Sequence, residues 1–300
     1  MKKQRMFSFT DKIAPYLFLL PGFILFALFI FGPLMYSLRI SFFDWNIIRP
    51  ERSQWVGWEN YTRAFADPVF RRAILNTLVY TVITVSGQLF FGTFVAVLLN
   101  QNIGGRTFFR VAYYLPVITS WVIVSLLFEY MFSGQGGLIN YLLRDLLHLT
   151  TENIRWLAHP ILAFVPIDLL GIWKGVGWTA IIVLAGLQAI PLHLYEAAEV
   201  DGAGKTTSFF KITLPLLRPT LVFLLVVLTI GGMNAYISNL LLTDGGNPMD
   251  QTHFILTYMY ERTFTNLEFG YGAAISTMLT LFIFVYSILQ IKLLNRPVEE

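Results

Sequence analysis

The segment nearest to a phosphate-handling motif is Gly202-Ala-Gly-Lys-Thr-Thr207. Gly-Lys-Thr closes the phosphate-binding pattern G-x-x-x-x-G-K-[ST], in which a Gly turn after a strand aims backbone N–H groups at the phosphates. Five positions before Gly204 stands Glu199 rather than Gly, and Tyr195-Glu-Ala-Ala-Glu199 reads as helix rather than strand. Without that first turn the cradle cannot form, so no nucleotide site is expected. The four histidines, His148, His159, His193 and His253, contain no H-E-x-x-H pair and read as surface or loop residues. No G-x-S-x-G elbow is present, and the chain has no Cys. Thiolate chemistry, disulfides and Cys-based metal sites are thereby excluded. The expectation is a chain that is not an enzyme, with no catalytic residue, no metal and no cofactor of its own.

The same segment has a second meaning. Leu194, Glu196, Ala197, Ala198 and Glu199 are good helix formers. Asp201-Gly202 permits a sharp turn, since Gly accepts positive φ. A second short helix is expected over Thr206 to Thr213, stopping before Pro215. Ala197, Ala198 and Ala203 leave little bulk, while Leu194, Val200, Phe209, Phe210 and Ile212 offer apolar anchors. Such a helix–turn–helix suits a groove on another protein. It equally suits an amphipathic loop lying on lipid headgroups.

The elements that must carry this loop are apolar. Of 300 residues, 56% are hydrophobic, 16% aromatic and 13% charged; mean hydropathy is +0.63. Soluble domains carry about twice that charged share. These values exclude a disordered chain and weigh against a soluble globular enzyme. A net charge of +3, from scattered basic residues, gives no ground for nucleic acid. Crossing a bilayer takes about 20 apolar residues as helix. Six such stretches are expected, at approximately 14–40, 74–100, 107–132, 161–190, 219–243 and 269–291. The first has a long apolar core and Phe31-Gly-Pro-Leu-Met, so it does not read as a cleaved signal peptide. Segments 1–13, 101–110, 192–218 and 292–300 hold 11 Lys/Arg in 59 residues, against 8 in 86 for segments 41–73, 133–160 and 244–268. By the positive-inside rule both termini and the 192–218 loop are cytoplasmic. One transmembrane domain, 14–294, is expected between a cytoplasmic segment 1–13 and a tail 295–300.

At this point the sequence resembles a known family. Glu196-Ala197-Ala198, three residues, Gly202, nine residues, then Ile212-Thr213-Leu214-Pro215 is similar at every spacing to the EAA loop of ABC importer permeases. Nearly the whole chain resembles the MalF/UgpA-like permeases of carbohydrate importers. Trp55-Val-Gly-Trp-Glu-Asn-Tyr-Thr62 resembles their F-V-G-L-x-N-Y segment, and Phe108-Phe-Arg to Leu115-Pro116 the opening of their third span. Leu187-Gln-Ala-Ile-Pro191 precedes the loop as it does there, and Gly270-Tyr-Gly-Ala-Ala-Ile-Ser276 resembles the start of their last span. Leu242-Thr-Asp-Gly-Gly-Asn247 resembles their L-T-x-G-G-P turn, with Asn247 where Pro is usual. The resemblance implies an all-α membrane protein with the six-helix fold of type I ABC importer permeases (the MetI-like fold). It implies a sugar importer of a bacterial or archaeal cytoplasmic (inner) membrane. The implied partners are a second homologous permease, two ABC ATPase subunits that hold ATP and Mg, and an extracytoplasmic solute-binding protein. Glu196, Ala197, Ala198, Asp201, Gly202, Ile212, Leu214 and Pro215 are then the ATPase-coupling residues.

The solute path is expected at mid-membrane, from Trp178, Thr179, Gly231, Gly232, Asn234, Tyr236 and Asn239. Amides, hydroxyls and aromatic faces suit a neutral sugar. Small residues and Asn equally hold spans together. Within the resemblance the solute is a disaccharide, an oligosaccharide or glycerol phosphate. A phosphate calls for a cation in the path, and Lys174 alone qualifies. Intramembrane charges are costly and point to function; Glu129 and Asp168 are expected near the outer end. The rival class is an ion-coupled secondary transporter or channel. It requires carboxylates at mid-depth, which the pattern lacks, and it leaves the 192–218 loop unexplained.

Overall fold

The structure is a computed structural model and describes residues 9–101 and 104–294. Residues 1–8 of the expected segment 1–13 and the whole expected tail 295–300 lie outside the described residues, as do the side chains of residues 9–13 and 293–294. Among the described residues the regular secondary structure is helical apart from a pair of two-residue strands. Five helices among the described residues are long and apolar enough to cross a membrane: Ala14–Ile40, Pro68–Asn100, Phe164–Gln188, Lys205–Met233 and Phe269–Lys292. A bent pair, Arg106–Ile118 with Trp121–Met131, makes a sixth if it is taken as one span. The chain divides into two units.

Among the described residues, one unit is 9–64 with 262–277. Its apolar helix Ala14–Ile40 is exposed along its length. Phe43 and Asp44 then pair antiparallel with Trp55 and Gln54. The Asn60-Tyr61 step of the sequence motif holds this hairpin. Asn60 Nδ2 donates to the carbonyls of Ser41 and Phe43 at 2.9 and 3.0 Å. The Tyr61 hydroxyl lies 2.6 Å from Ser41 Oγ. Arg63 pairs with Glu268 and lies over the Tyr271 ring.

The other, again among the described residues, lies within 65–261 and 278–294. Asp67 caps the Pro68–Asn100 helix by accepting from Val69 and Phe70 N–H, and Pro68 follows where no intrahelical donor is needed. That helix runs against Phe164–Gln188 through small residues. A Cβ on Gly92 would stand 2.5 Å from Thr179, and one on Gly171 2.6 Å from the Tyr80 hydroxyl. Such close approach is how apolar helices associate when lipid offers no hydrophobic driving force. A buried cluster of Val95, Ala96, Leu99, Val183, Leu187, Leu217 and Leu224 joins these two helices to Lys205–Met233.

Two of the expected spans are not single helices. The third breaks at Thr119-Ser120 with a 93° bend. Thr119 and Ser120 are both extended, and Thr119 Oγ1 donates back to Pro116 O at 2.6 Å. The fifth ends at Met233; Asn234 to Tyr236 interrupt it before a short helix, Ile237–Thr243. Asn234 Nδ2 donates to Ile230 O at 2.8 Å, closing the last turn.

Candidate functional site

The 192–218 loop begins with the helix Leu192–Val200. It ends at Asp201, and Gly202 follows at φ +79°. Gly202 N–H donates to Glu199 O at 3.0 Å and Ala203 N–H to Ala198 O at 2.8 Å. This pair of bonds is the Schellman closure, which satisfies the terminal carbonyls and favours Gly at the left-handed position. Glu196, Ala197, Asp201 and Gly202 face outward, and Val200 is 89% exposed. Ala198, Ile212 and Leu214 are partly buried. The Tyr195 hydroxyl meets Thr213 Oγ1 at 2.9 Å and fixes the first helix against the return segment.

The return segment departs from expectation. No helix stops before Pro215. Lys205 to Met233 is continuous, 29 residues long, with a π-helical turn at Phe209–Thr213. Pro215 sits in the first turn of the α-helical part that follows. The π-helical turn closes with Leu214 N–H donating to Phe209 O, and the helix runs on through Pro215 and Pro219 instead of ending there.

At the far end of this helix is a cavity of about 620 Å³. Gly231, Asn234 and Tyr236 line it, together with Tyr80, Trp121, Ser238, Met259 and Tyr260. The Tyr236 and Tyr260 rings are 5.4 Å apart. Trp178, Gly231 and Gly232 line a smaller neighbouring cavity of about 230 Å³, again with Tyr80 and Trp121. Two expected path residues lie elsewhere. Thr179 is fully buried against Gly92 of the neighbouring helix. Asn239 is fully buried and donates to Thr252 O at 2.8 Å, so it holds the 244–253 loop. Both project from faces covered by other elements. Sequence reasoning misses Tyr80, Trp121, Ser238 and Tyr260, since their place in the cavity depends on tertiary packing. The one local signal is Pro116 with Thr119-Ser120, which breaks the helix ahead of Trp121.

The intramembrane cation is accounted for. Lys174 is 4% exposed. Its Nζ donates to Pro116 O at 2.7 Å, Thr119 O at 2.6 Å and Val117 O at 3.4 Å. It also lies 5.0 Å from the Trp121 ring centroid. Its three donors therefore go to carbonyls freed by the helix break, where the helix dipole also favours a positive charge. Glu129 is exposed. Asp168 is partly buried, with Oδ1 enclosed and without a hydrogen-bond donor.

His253 also differs from a surface histidine. Its side chain is 2% exposed, beside Asp250 and Glu261.

Comparison with known proteins agrees with this architecture. A family model described as the inner membrane component of binding-protein-dependent transport systems matches residues 88–297. The sulfoquinovosyl glycerol transport system permease SmoG of Agrobacterium fabrum is 36% identical, over 92% of this chain and 88% of that one. The arabinooligosaccharides transport system permease AraP of Halalkalibacterium halodurans is 32% identical, over 97% and 92%. Among solved structures, a bacterial ABC transporter involved in import of the acidic polysaccharide alginate superposes with a TM-score of 0.82. It is 25% identical, covering 97% of this chain and 98% of that one. The alginate transporter in complex with an alginate pentasaccharide-bound periplasmic protein gives the same TM-score at 24% identity. With a family model covering more than half its length and full-length relatives above 30% identity, the chain belongs to the inner membrane components of binding-protein-dependent ABC importers, with their all-α permease fold.

Proposed function

We propose that this chain is one of two permeases in an ATP-driven importer of a neutral oligosaccharide or glycoside. Its helix Leu192–Val200 docks in a groove of a separate ABC ATPase, with Glu196, Ala197, Ala198, Asp201, Gly202, Ile212, Leu214 and Pro215 forming the coupling element. The carrying observation is one unbroken helix, Lys205–Met233, that joins the loop to the cavity. At 1.5 Å per residue it is a lever roughly 40 Å long. Movement of the loop by the ATPase is thus delivered to Gly231 and Asn234 at the cavity wall. Exposure of Val200, Ala197 and Glu196 supports docking on protein rather than burial in this chain. ATP and Mg belong to the partner ATPase, and an extracytoplasmic protein delivers the solute. The termini and the coupling loop face the cytoplasm of a bacterial or archaeal cell.

A carbohydrate is supported by the relatives, two of which are named for arabinooligosaccharides and sulfoquinovosyl glycerol. A neutral one is supported by the cavity. Trp121, Tyr236 and Tyr260 offer rings and hydroxyls, and Asn234 its amide oxygen, groups that stack on and hydrogen-bond sugars. Lys174 has its donors committed to backbone carbonyls. Purification from the native membrane in gentle detergent, with mass spectrometry, tests the assembly. A P-loop ATPase and a second six-span permease should accompany the chain. Isolation alone, with transport in liposomes that needs no ATP, would replace this reading with a secondary transporter.

A further inference from the structure

We infer that Asp250, His253 and Glu261 form a binding site for a divalent transition metal of the zinc class. Their ligand atoms lie within 4.8 Å of one another. Asp250 Oδ1 and Glu261 Oε2 approach the same nitrogen, His253 Nε2, at 3.6 and 3.1 Å. A single N–H at Nε2 serves one acceptor well, not two. A cation bound through the Nε2 lone pair would serve both carboxylates and offset their mutual repulsion. The distances suit it. Bonds of about 2.0–2.2 Å in a tetrahedral set place ligand atoms about 3.3–3.6 Å apart. One imidazole with two carboxylates is a donor set for zinc, cobalt or nickel, whereas magnesium and calcium prefer oxygen alone.

The surroundings leave the site reachable. Asp250 is 67% and Glu261 38% exposed, so water can fill the fourth position. Gly246 packs against the imidazole, and a Cβ there would overlap Nε2 itself. Glycine at 246 thus keeps any side chain off the ligating nitrogen. The Tyr258 ring meets the imidazole edge-on, with ring centroids 5.3 Å apart, and the His253 backbone carbonyl accepts from Asn76 Nδ2 at 3.0 Å. The spacing, three and eight residues from His253, matches no familiar zinc pattern, so the site leaves no motif in the sequence.

The bound metal would tie the 244–253 loop to the start of the turn Glu261–Thr265. Glu261 directly follows Tyr260, a wall of the larger cavity. Occupancy would therefore fix that wall, whatever solute the cavity takes.

The test is metal content of the intact complex, purified through a tag without histidines, exposed to zinc and then desalted. About one zinc per chain should remain. His253→Gln should abolish retention, and Asp250→Asn, at an exposed position, should weaken zinc affinity by at least about tenfold. Cobalt in place of zinc should give the intense visible bands of a four-coordinate site. Zinc retention below one-tenth of an equivalent in the parent, or equal retention in the parent and both variants, would overturn the site. So would stability that follows pH but is unmoved by zinc, which is the behaviour of a protonated His253 between two carboxylates. Copurification of the ATPase is scored separately, so failure of the metal site leaves the importer assignment intact.

Discussion

The ammonium of Lys174 donates to the carbonyl oxygen of Pro116 at 2.7 Å, across 58 positions of sequence. Thr119 O receives a second bond at 2.6 Å. One buried side chain thereby closes the broken end of another helix, and the cost of its charge is met by carbonyls that the break leaves without intrahelical donors. The break in turn sets Trp121 at the start of its helix, on the wall of both cavities.

Lys174→Met should therefore destabilise the protein. The freed carbonyls lose their donors in a dry environment, at a net cost of about 1–3 kcal/mol. The melting temperature in detergent should fall by several degrees, with transport reduced because Trp121 is no longer held. An unchanged melting curve would show that the bonds from Lys174 contribute nothing.

Gly202 stands at φ +79° with nothing within 4 Å of where a Cβ would lie, so a side chain there meets strain rather than a clash. Left-handed backbone costs an L-residue roughly 1–2 kcal/mol. Gly202→Asp should leave membrane abundance near normal while uptake falls at least tenfold, because the loop no longer holds its bend. ATPase activity of the complex should cease to respond to the loaded binding protein. Normal uptake at normal abundance would contradict the coupling role.

The cavity separates residues that the sequence alone could not. Tyr236→Ala and Trp121→Ala each remove a stacking surface and should reduce transport about tenfold without altering basal ATP hydrolysis. Thr179→Ser keeps a small hydroxyl against Gly92 and should transport normally. Uptake measured in proteoliposomes, with protein levels matched, checks all three. A defect confined to the Thr179 variant would reverse the assignment of faces.

Gly92→Val probes the helix contact. Its first added carbon would already lie 2.5 Å from Thr179. Overpacking of this kind costs about 1–3 kcal/mol, so thermal stability and membrane yield should both fall. A variant as stable as the parent would mean that the two helices do not approach so closely.

The 192–218 loop is legible in the sequence because its information is local: a helix-forming run, a Gly at the turn and fixed spacings to Ile212 and Pro215. Its continuation through Pro215 is not, because a π-helical turn has no propensity signal of its own. Trp178 and Thr179 show the limit for the cavity. They are adjacent in sequence and about 100° apart around the helix, and which of them faces a cavity is decided by where the Pro68–Asn100 helix packs. Lys174 reads as a functional charge because the carbonyls that neutralise it lie 55 to 58 residues away. His253 reads as superficial because its carboxylate neighbours converge only once the 244–253 loop folds back.

The most direct test of ATP-driven import is solute uptake into proteoliposomes that hold the purified complex, with ATP enclosed and the binding protein outside. Uptake should require both, should survive a protonophore, and should be lost in the Gly202→Asp complex. Uptake that proceeds without ATP and collapses with the ion gradient would contradict it.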